Sequence, residues 1–303
     1  MSVSRLCHAV GMDSKELSLT HLDKVFWPDE GYTKGDLIAY YQEVAPVILP
    51  YLLDRPQNLN RHPNGIAGES FFQKDLSEEH PSWIKTKKIH SESTGEDVSY
   101  LICEDESDLL YMVNLGCIEL NPWSSRVASL DKPDYAVIDL DPENIGFDRV
   151  VEVALVVRDV LERLGVPSYP KTSGATGIHV YIPLEAHYPY EQVREFTETV
   201  AKKVHIMLPE ITSLERHPSK RQGKVYLDYL QNGLGQTTAS PYSVRPRPGA
   251  TVSAPLKWEE VTPKLSPHKF TIKSLSKRLD KVGDIWKPVL GEGVDLKKVL
   301  ERV

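Results

Sequence analysis

Between Tyr135 and Leu230 the chain alternates β-rich apolar runs with amphipathic helical stretches in one particular order. Tyr135–Leu140 (YAVIDL) reads as a strand. Arg149–Leu164 repeats apolar residues at helical spacing and stops at Gly165, with Pro167 beyond it. Ser168–Lys171 is a short strand-like run leading into a glycine-containing turn, and Ile178–Leu184 (IHVYIPL) alternates as a strand does. Glu191–Met207 is a second helix ended by Pro209, and Val225–Leu230 (VYLDYL) is the last strand. The order β-α-β-β-α-β is that of the ferredoxin-like, split βαβ unit. In that unit the first and third strands are neighbours at the sheet centre and the fourth flanks the first. Asp139 and Asp141 on strand one, His179 on strand three and Asp228 on strand four are therefore expected to converge, although they are far apart in sequence.

Asp139 and Asp141 stand at i and i+2, so in a strand both point to one face. Two like charges side by side destabilise each other unless a cation neutralises them. A bare Asp-x-Asp is most often a solvated strand end, here closed by Pro142. Asp228 inside the apolar frame VYLDYL weighs against that, because a carboxylate in a buried strand needs a partner. Hard oxygen donors suit magnesium or manganese. Two such ions about 4 Å apart can activate a 3′-hydroxyl and stabilise a leaving pyrophosphate.

Lys171-Thr-Ser173-Gly174-Ala-Thr-Gly177-Ile-His179 is the second constellation. Glycines and hydroxyls in a tight turn can offer backbone N–H groups to an anion, and His179 can add a donor. A plain hairpin with a satisfied core histidine is the competing reading. The spacing is not that of a P-loop. Arg221 and Arg245 are candidate phosphate clamps, since a guanidinium fork matches phosphate oxygens. Phe71 and Phe72 lie beside Gln73-Lys74. Neighbours on an extended segment face opposite ways, so one ring is expected in the core and the other as a platform for a base.

Outside this middle part, a helix is expected from about Lys34 to Leu53, capped by Thr33 and Asp36 and interrupted at Pro46 or Pro50. Arg55–Gly68 reads as turn-rich, Ser99–Ile102 and Ile118–Leu120 as short strands, and Thr271–Leu279 and Leu296–Val303 as a basic helix pair. The 303 residues, 40% hydrophobic and 26% charged, suit an ordinary globular chain. No apolar run approaches the roughly 20 residues that span a bilayer. The stretch MSVSRLCHAVGMDSK lacks a signal-peptide core, so a cytoplasmic location and no membrane partner are expected. Three cysteines, Cys7, Cys103 and Cys117, form no CxxC pair, so neither zinc nor a disulfide framework is expected. The net charge of −7 speaks against a nucleic-acid binder unless basic residues gather in a cleft.

The segments LTHLDKVFWPDEGYTKGDL, RHPNG, SFFQKD, IELNPW, DYAVIDLDP, KTSGATGIHVY, VYLDYLQN and ASPYSVRPRPGATVSAPLKW run over nearly the whole chain. Together they resemble the polymerase domain of bacterial ligase D and its stand-alone archaeal or bacterial relatives, within the archaeo-eukaryotic primase superfamily. The resemblance implies an α+β, primase-like fold: a ferredoxin- or RRM-like catalytic core with a packed N-terminal α/β subdomain. The expected organisation is one domain over residues 1–303, with a nucleic-acid-contacting part (16–130), a catalytic core (131–232) and a basic C-terminal part (233–303).

The resemblance further implies a template-directed nucleotidyltransferase, a primase-polymerase that extends or fills DNA ends in non-homologous end joining and favours ribonucleotides. Asp139, Asp141 and Asp228 match metal-binding catalytic carboxylates, for two Mn2+ or Mg2+ ions. Ser173 and His179 match residues that hold the incoming triphosphate, with Gly174 and Gly177 shaping that turn. Arg221 and Arg245 match basic contacts around the nucleotide, and Arg61 a basic segment near it. Lys24 and Lys34 match a lysine pair that receives a downstream 5′-phosphate. Phe71 and Phe72 match aromatics at the template strand. Implied partners are DNA ends or gapped DNA with a 5′-phosphate, ribo- and deoxyribonucleoside triphosphates, and Ku-like and ligase proteins. The chain departs from the family pattern at Asn60, at Asn121 (often histidine, near the primer end or nucleotide) and at Thr176 (often lysine). Two other readings use the same residues: a metal-dependent nuclease or phosphodiesterase, and a non-catalytic, RNA-recognition-like end-binding module. Ser173, His179 and two arginines suit a triphosphate better than a bare phosphodiester. Aspartates on the central face, without metal, would repel a nucleic-acid backbone.

Overall fold

A computed structural model describes residues 15–76, 80–91 and 95–301. Cys7 and residues 302–303, the end of the last expected helix, lie outside them. In chain order the elements are β1 (Val25–Trp27), β2 (Tyr32–Thr33), α1 (Lys34–Ile48), β3 (Pro56–Arg61), β4 (Phe71–Gln73), β5 (Thr86–Ser91), β6 (Glu96–Ile102), α2 (Glu106–Asn114), β7 (Cys117–Pro122), β8 (Tyr135–Glu143), α3 (Phe147–Arg163), β9 (Tyr169–Thr172), β10 (Ile178–Pro183), α4 (Tyr190–Met207), β11 (Thr212–Ser213), β12 (Lys224–Asp228), α5 (Leu275–Val282) and α6 (Leu296–Leu300).

The central sheet has the strand order β11-β12-β8-β10-β9. Its first and third long strands, β8 and β10, are adjacent, and β12 flanks β8, as the split βαβ order requires. Trp286 packs against Tyr181, two residues along β10 from His179 and so on the same face. Ala136, Ile138, Leu140, Ile178, Val180 and Ile182 are left for the other face, where α3 and α4 pack. The helices form because Val153, Ala154, Val157 and Val160 on α3, and Val193, Phe196, Val200 and Val204 on α4, fall on one buried stripe each.

The second sheet has the order β4-β3-β6-β5, with β7 also paired to β3. The turn-rich reading of residues 55–68 is corrected here: Pro56–Arg61 is a strand with three neighbours. Its run PQNLNR looks like a loop because the polar residues face the interior. Asn58 is buried opposite Asn121, and Asn60 stands opposite Glu119. Pro56 fits at the first strand position, where a missing N–H costs least.

Smaller differences have local causes. The first helix carries the expected Thr33–Asp36 capping box and keeps Pro46 within it, but ends at Ile48; Leu49–Tyr51, with Pro50 inside, tightens to a 3-10 turn. The helix expected from Thr271 begins at Leu275, because Thr271 and Ile272 are engaged with Thr251 and Ala250. The last central strand stops at Asp228, whose Oδ1 accepts from Leu230 N at 2.9 Å and turns the chain.

A strap from Thr237 to Ala254 joins the two sheets. Thr237 bridges Trp123, Ser240 N donates to Leu120 O on β7, and Thr172 N on β9 donates to Ala254 O. Arg55, fully buried, and Arg126 both pair with Asp134 just before β8. Among the described residues, no helix is long and apolar enough to cross a membrane, and Cys103 and Cys117 are buried free thiols.

Candidate active site at the cross-strand carboxylates

Antiparallel register places four side chains in one row across the central sheet. Lys171 on β9 is opposite His179 on β10, His179 is opposite Asp139 on β8, and Asp139 is opposite Asp228 on β12. Directly opposed residues share a face, so the row is contiguous. Asp141 stands in the next row, opposite Tyr226. The register depends on the β9–β10 turn. A side chain at Gly177 would place its Cβ 2.2 Å from Leu140 O, and Gly174, at φ +74°, would meet Ser253 N and Arg245 at 2.7 Å. Only glycine lets this hairpin lie so close to β8 and the strap.

Burial pushes the Asp139 carboxyl up to about 7, with Asp141 and then Asp228 adding repulsion. Burial also raises Asp141, against the pull of Arg221, whose Nη2 lies 3.6 Å from it. Asp228 is raised by burial and held back by its bonds to Leu230 N and to Gln231 Nε2 at 3.1 Å. His179 Nε2 is 3.4 Å from Asp139 Oδ1. Three oxygen-donor carboxylates on neighbouring strands, with their ionised forms penalised, match the needs of a hard divalent cation. Among the described residues no three acidic, His or Cys side chains already converge on one point; Asp228 is engaged by its backbone turn and Asp141 by Arg221. The donor chemistry fits a cation.

A cavity of about 260 Å³ opens over this face, lined by Asp139, Asp141, Ser173, Gly177, His179, Arg245 and, from the second sheet, Glu119 and Asn121. Arg245 Nη1 donates to Ser173 O at 2.8 Å, and its Nε pairs with Glu119 at 2.6 Å. Ser173 Oγ accepts from Ala175 N and Gly177 N, so two of the turn amides expected to face an anion are already engaged. Asn121 is buried with Nδ2 unbonded. A larger open groove of about 480 Å³, between Pro167, Pro183 and Val294, has its own lining with none of these residues.

Arg221 is brought to the site, stacked 4.2 Å over Tyr226, with Nε and Nη1 unbonded. Arg61 is not part of the cavity wall: it bonds Leu115 O and Gln73 and lies over the Phe71 ring at 5.2 Å. The expectation that one of the two phenylalanines is core is wrong. Phe71 is 47% and Phe72 65% exposed, because β4 is a three-residue edge strand and the Arg61 guanidinium covers only part of the Phe71 ring. Lys24 and Lys34 do meet. Lys24 Nζ donates to Asn64 at 2.7 Å, and Lys34 Nζ to Thr20 O and Asn114, each at 2.8 Å. Burial, then the charge of Lys24, lowers Lys34. Neither lysine forms an ion pair among the described residues.

Sequence reasoning missed Glu119, Tyr226, Gln231 and any role for Lys171. Lys171 was legible in principle, since counting back across a tight turn from His179 lands on it.

The family model described as LigD, primase-polymerase domain, matches residues 33–286. The bifunctional non-homologous end joining protein LigD of Bacillus subtilis is 37% identical over 270 residues, which cover 88% of this chain and 43% of that protein. The multifunctional LigD of Mycolicibacterium smegmatis is 33% identical over 288 residues, 93% of this chain and 37% of that protein. The chain thus spans less than half the length of these relatives. The structure of the polymerase domain from Mycobacterium tuberculosis ligase D in complex with DNA superposes with a TM-score of 0.85 at 30% identity, covering 93% of this chain and all of that one.

Proposed function

The chain belongs to the LigD primase-polymerase domain family, and from that premise we propose that it is a template-directed nucleotidyltransferase extending or gap-filling DNA ends during non-homologous end joining, with ribonucleotides favoured. The carrying observation is that Asp139 and Asp141 share a cavity wall with Ser173, His179 and Arg245, with Asp228 directly opposite Asp139 on the neighbouring strand. A carboxylate floor opposite cationic and hydroxyl groups suits a nucleoside triphosphate, whose phosphates need donors and whose reacting oxygens need shielding of charge.

In this reading Asp139, Asp141 and Asp228 hold two divalent ions, manganese or magnesium, which when bound activate the primer 3′-hydroxyl and neutralise the departing pyrophosphate. Ser173, His179 and Arg245 orient the triphosphate, and Gly174 and Gly177 keep the backbone close enough for them to do so. Arg221 exchanges Asp141 for a phosphate oxygen, which its two unbonded N–H-bearing nitrogens favour. Asn121, with a free amide nitrogen, contacts the primer end or the sugar. Lys24 and Lys34 receive a downstream 5′-phosphate, the anion their uncompensated charges lack. Phe71 and Phe72 stack on the template strand, while Arg61 braces Phe71 from behind. Ku-like and ligase proteins are the partners such an activity requires to align and seal ends.

The test is primer extension on a gapped duplex, with manganese or magnesium, each of the four ribo- and deoxyribonucleotides, and the downstream strand with or without its 5′-phosphate. Template-matched addition, stronger with ribonucleotides and with the phosphate, is expected. Strand shortening in place of extension would establish the nuclease reading, and binding with no chemistry would establish the end-binding module.

A further inference from the structure

The row across the central sheet does not stop at His179. Lys171, opposite it, is fully buried and is not part of the cavity lining. Its Nζ lies 2.9 Å from His179 Nδ1, 2.9 Å from Ala239 O and 2.5 Å from Ser253 Oγ. Each partner has a defined hydrogen-bonding role. Ala239 O can only accept. Ser253 Oγ gives its own hydrogen to Thr172 O at 2.9 Å, so it accepts from the lysine. Burial and then the charge of Arg245 pull Lys171 well below its ordinary value, while Asp139 and Glu119 pull the other way; held as an ammonium it has three N–H groups and no acceptor, and the third points at the imidazole. On the other side of the ring, Nε2 faces Asp139 Oδ1 at 3.4 Å, and an ionised carboxylate only accepts. A donor on one side and an acceptor on the other admit a single neutral imidazole: lone pair on Nδ1, hydrogen on Nε2.

The geometry points to Lys171 as a positioning residue that fixes His179 as the Nε2–H tautomer and so aims one N–H donor at the carboxylate row and the cavity. An apolar residue would fill β9 without burying an ammonium that has no carboxylate bonded to it, which is costly. The lysine earns its place through what it does to the ring. Its second attachment, to Ala239 O and Ser253 on the strap, holds Nζ in line with Nδ1. The use of the resulting donor, to hold an anionic phosphate of the nucleotide, rests on the polymerase reading. The tautomer itself does not.

The experiment is long-range 1H–15N correlation on the full chain labelled with 15N-histidine, at pH 8, with His179 assigned by its absence in His179→Gln. Expected is a non-protonated Nδ1 and a protonated Nε2. A hydrogen on Nδ1 overturns the proposal. In Lys171→Met, Nδ1 loses its donor, so the Nε2–H form should no longer dominate, and nucleoside triphosphate affinity by calorimetry should fall about 10- to 100-fold, the worth of one charge-assisted hydrogen bond. Ser253→Ala removes a lysine partner without touching the ring and should leave the tautomer as it was. If Lys171→Met melts lower yet keeps the tautomer, the lysine is only a strap anchor and the proposal falls. If that variant does not fold, the wild-type spectrum alone decides. A protein with the expected tautomer that extends no primer would sink the polymerase reading and leave the positioning role standing.

Discussion

The carboxylate row and the lysine pair are both concentrations of one sign of charge, and the fold treats them in opposite ways. Asp139 and Asp228 sit on long central strands whose register fixes their spacing, and their repulsion is answered from within by Arg221, the turn at Leu230 and the amide of Gln231. Lys24 and Lys34 flank the small β1–β2 hairpin and meet only neutral oxygens from Thr20, Asn64 and Asn114. The first region holds its charge in a rigid frame. The second exposes Lys24 and buries Lys34 behind it, with no carboxylate paired to either among the described residues. A negative site in the core and a positive site at the rim would let one protein handle a cation-dependent reaction and a phosphate-bearing strand without the two neutralising each other.

The largest effect should come from breaking the row. Asp228→Asn is expected to keep the fold and cut nucleotide addition at least about 100-fold, the scale of removing one preorganised electrostatic group; primer extension and thermal melting check this together. Lys24→Ala with Lys34→Ala should cost roughly 100-fold in preference for a 5′-phosphorylated downstream strand, at about 1.5 kcal/mol or more for each charge-assisted bond. Extension on a plain overhang should survive, and raising salt should reduce the wild-type preference toward that of the variant. Phe71→Ala or Phe72→Ala should weaken binding of single-stranded template about tenfold, within the usual worth of base stacking, with no loss of melting temperature because both rings are exposed. Fluorescence anisotropy would measure it.

A further effect, on stability and not on binding or rate, concerns pH. The folded Asp139 carboxyl, at about 7, lies above its ordinary 3.8. Its contribution to stability is full below about pH 4 and is lost as pH climbs through 7, because the unfolded chain gives up that proton first. The metal-free protein should therefore lose a few kcal/mol between pH 4 and 7, at about 1.4 kcal/mol per pH unit. Manganese added at pH 8 should restore melting temperature, and Asp139→Asn should abolish both the loss and the rescue. Denaturant melts across pH would show it.

The row was legible because strand order and side-chain parity are both periodic properties. Once YAVIDL, IHVYIPL and VYLDYL are strands in a split βαβ unit, Asp139, His179 and Asp228 must meet. What escaped was whatever lacks a period. PQNLNR hid the strand β3 because its asparagines face an interior cleft, and polar residues ordinarily mark the outside. Phe71 and Phe72 looked half-core because parity says nothing about whether an edge strand is covered. Lys171 escaped because its partner depends on the length of one turn. The lysine pair came from resemblance alone: Asn64 and Asn114, which help hold the two ammonium groups, are distant in sequence and chemically unremarkable.

The strap from Thr237 to Ala254 has a mechanical consequence. It is bonded to β7 on one side and β9 on the other, so the two sheets cannot swing apart without breaking it. The cavity between them is thus tied on both sides. In the polymerase proposed above, discrimination between nucleotides would then fall to side chains at its wall and rim, Asn121 and Arg221 foremost, and a substrate that does not fit would meet a frame bonded on both sides.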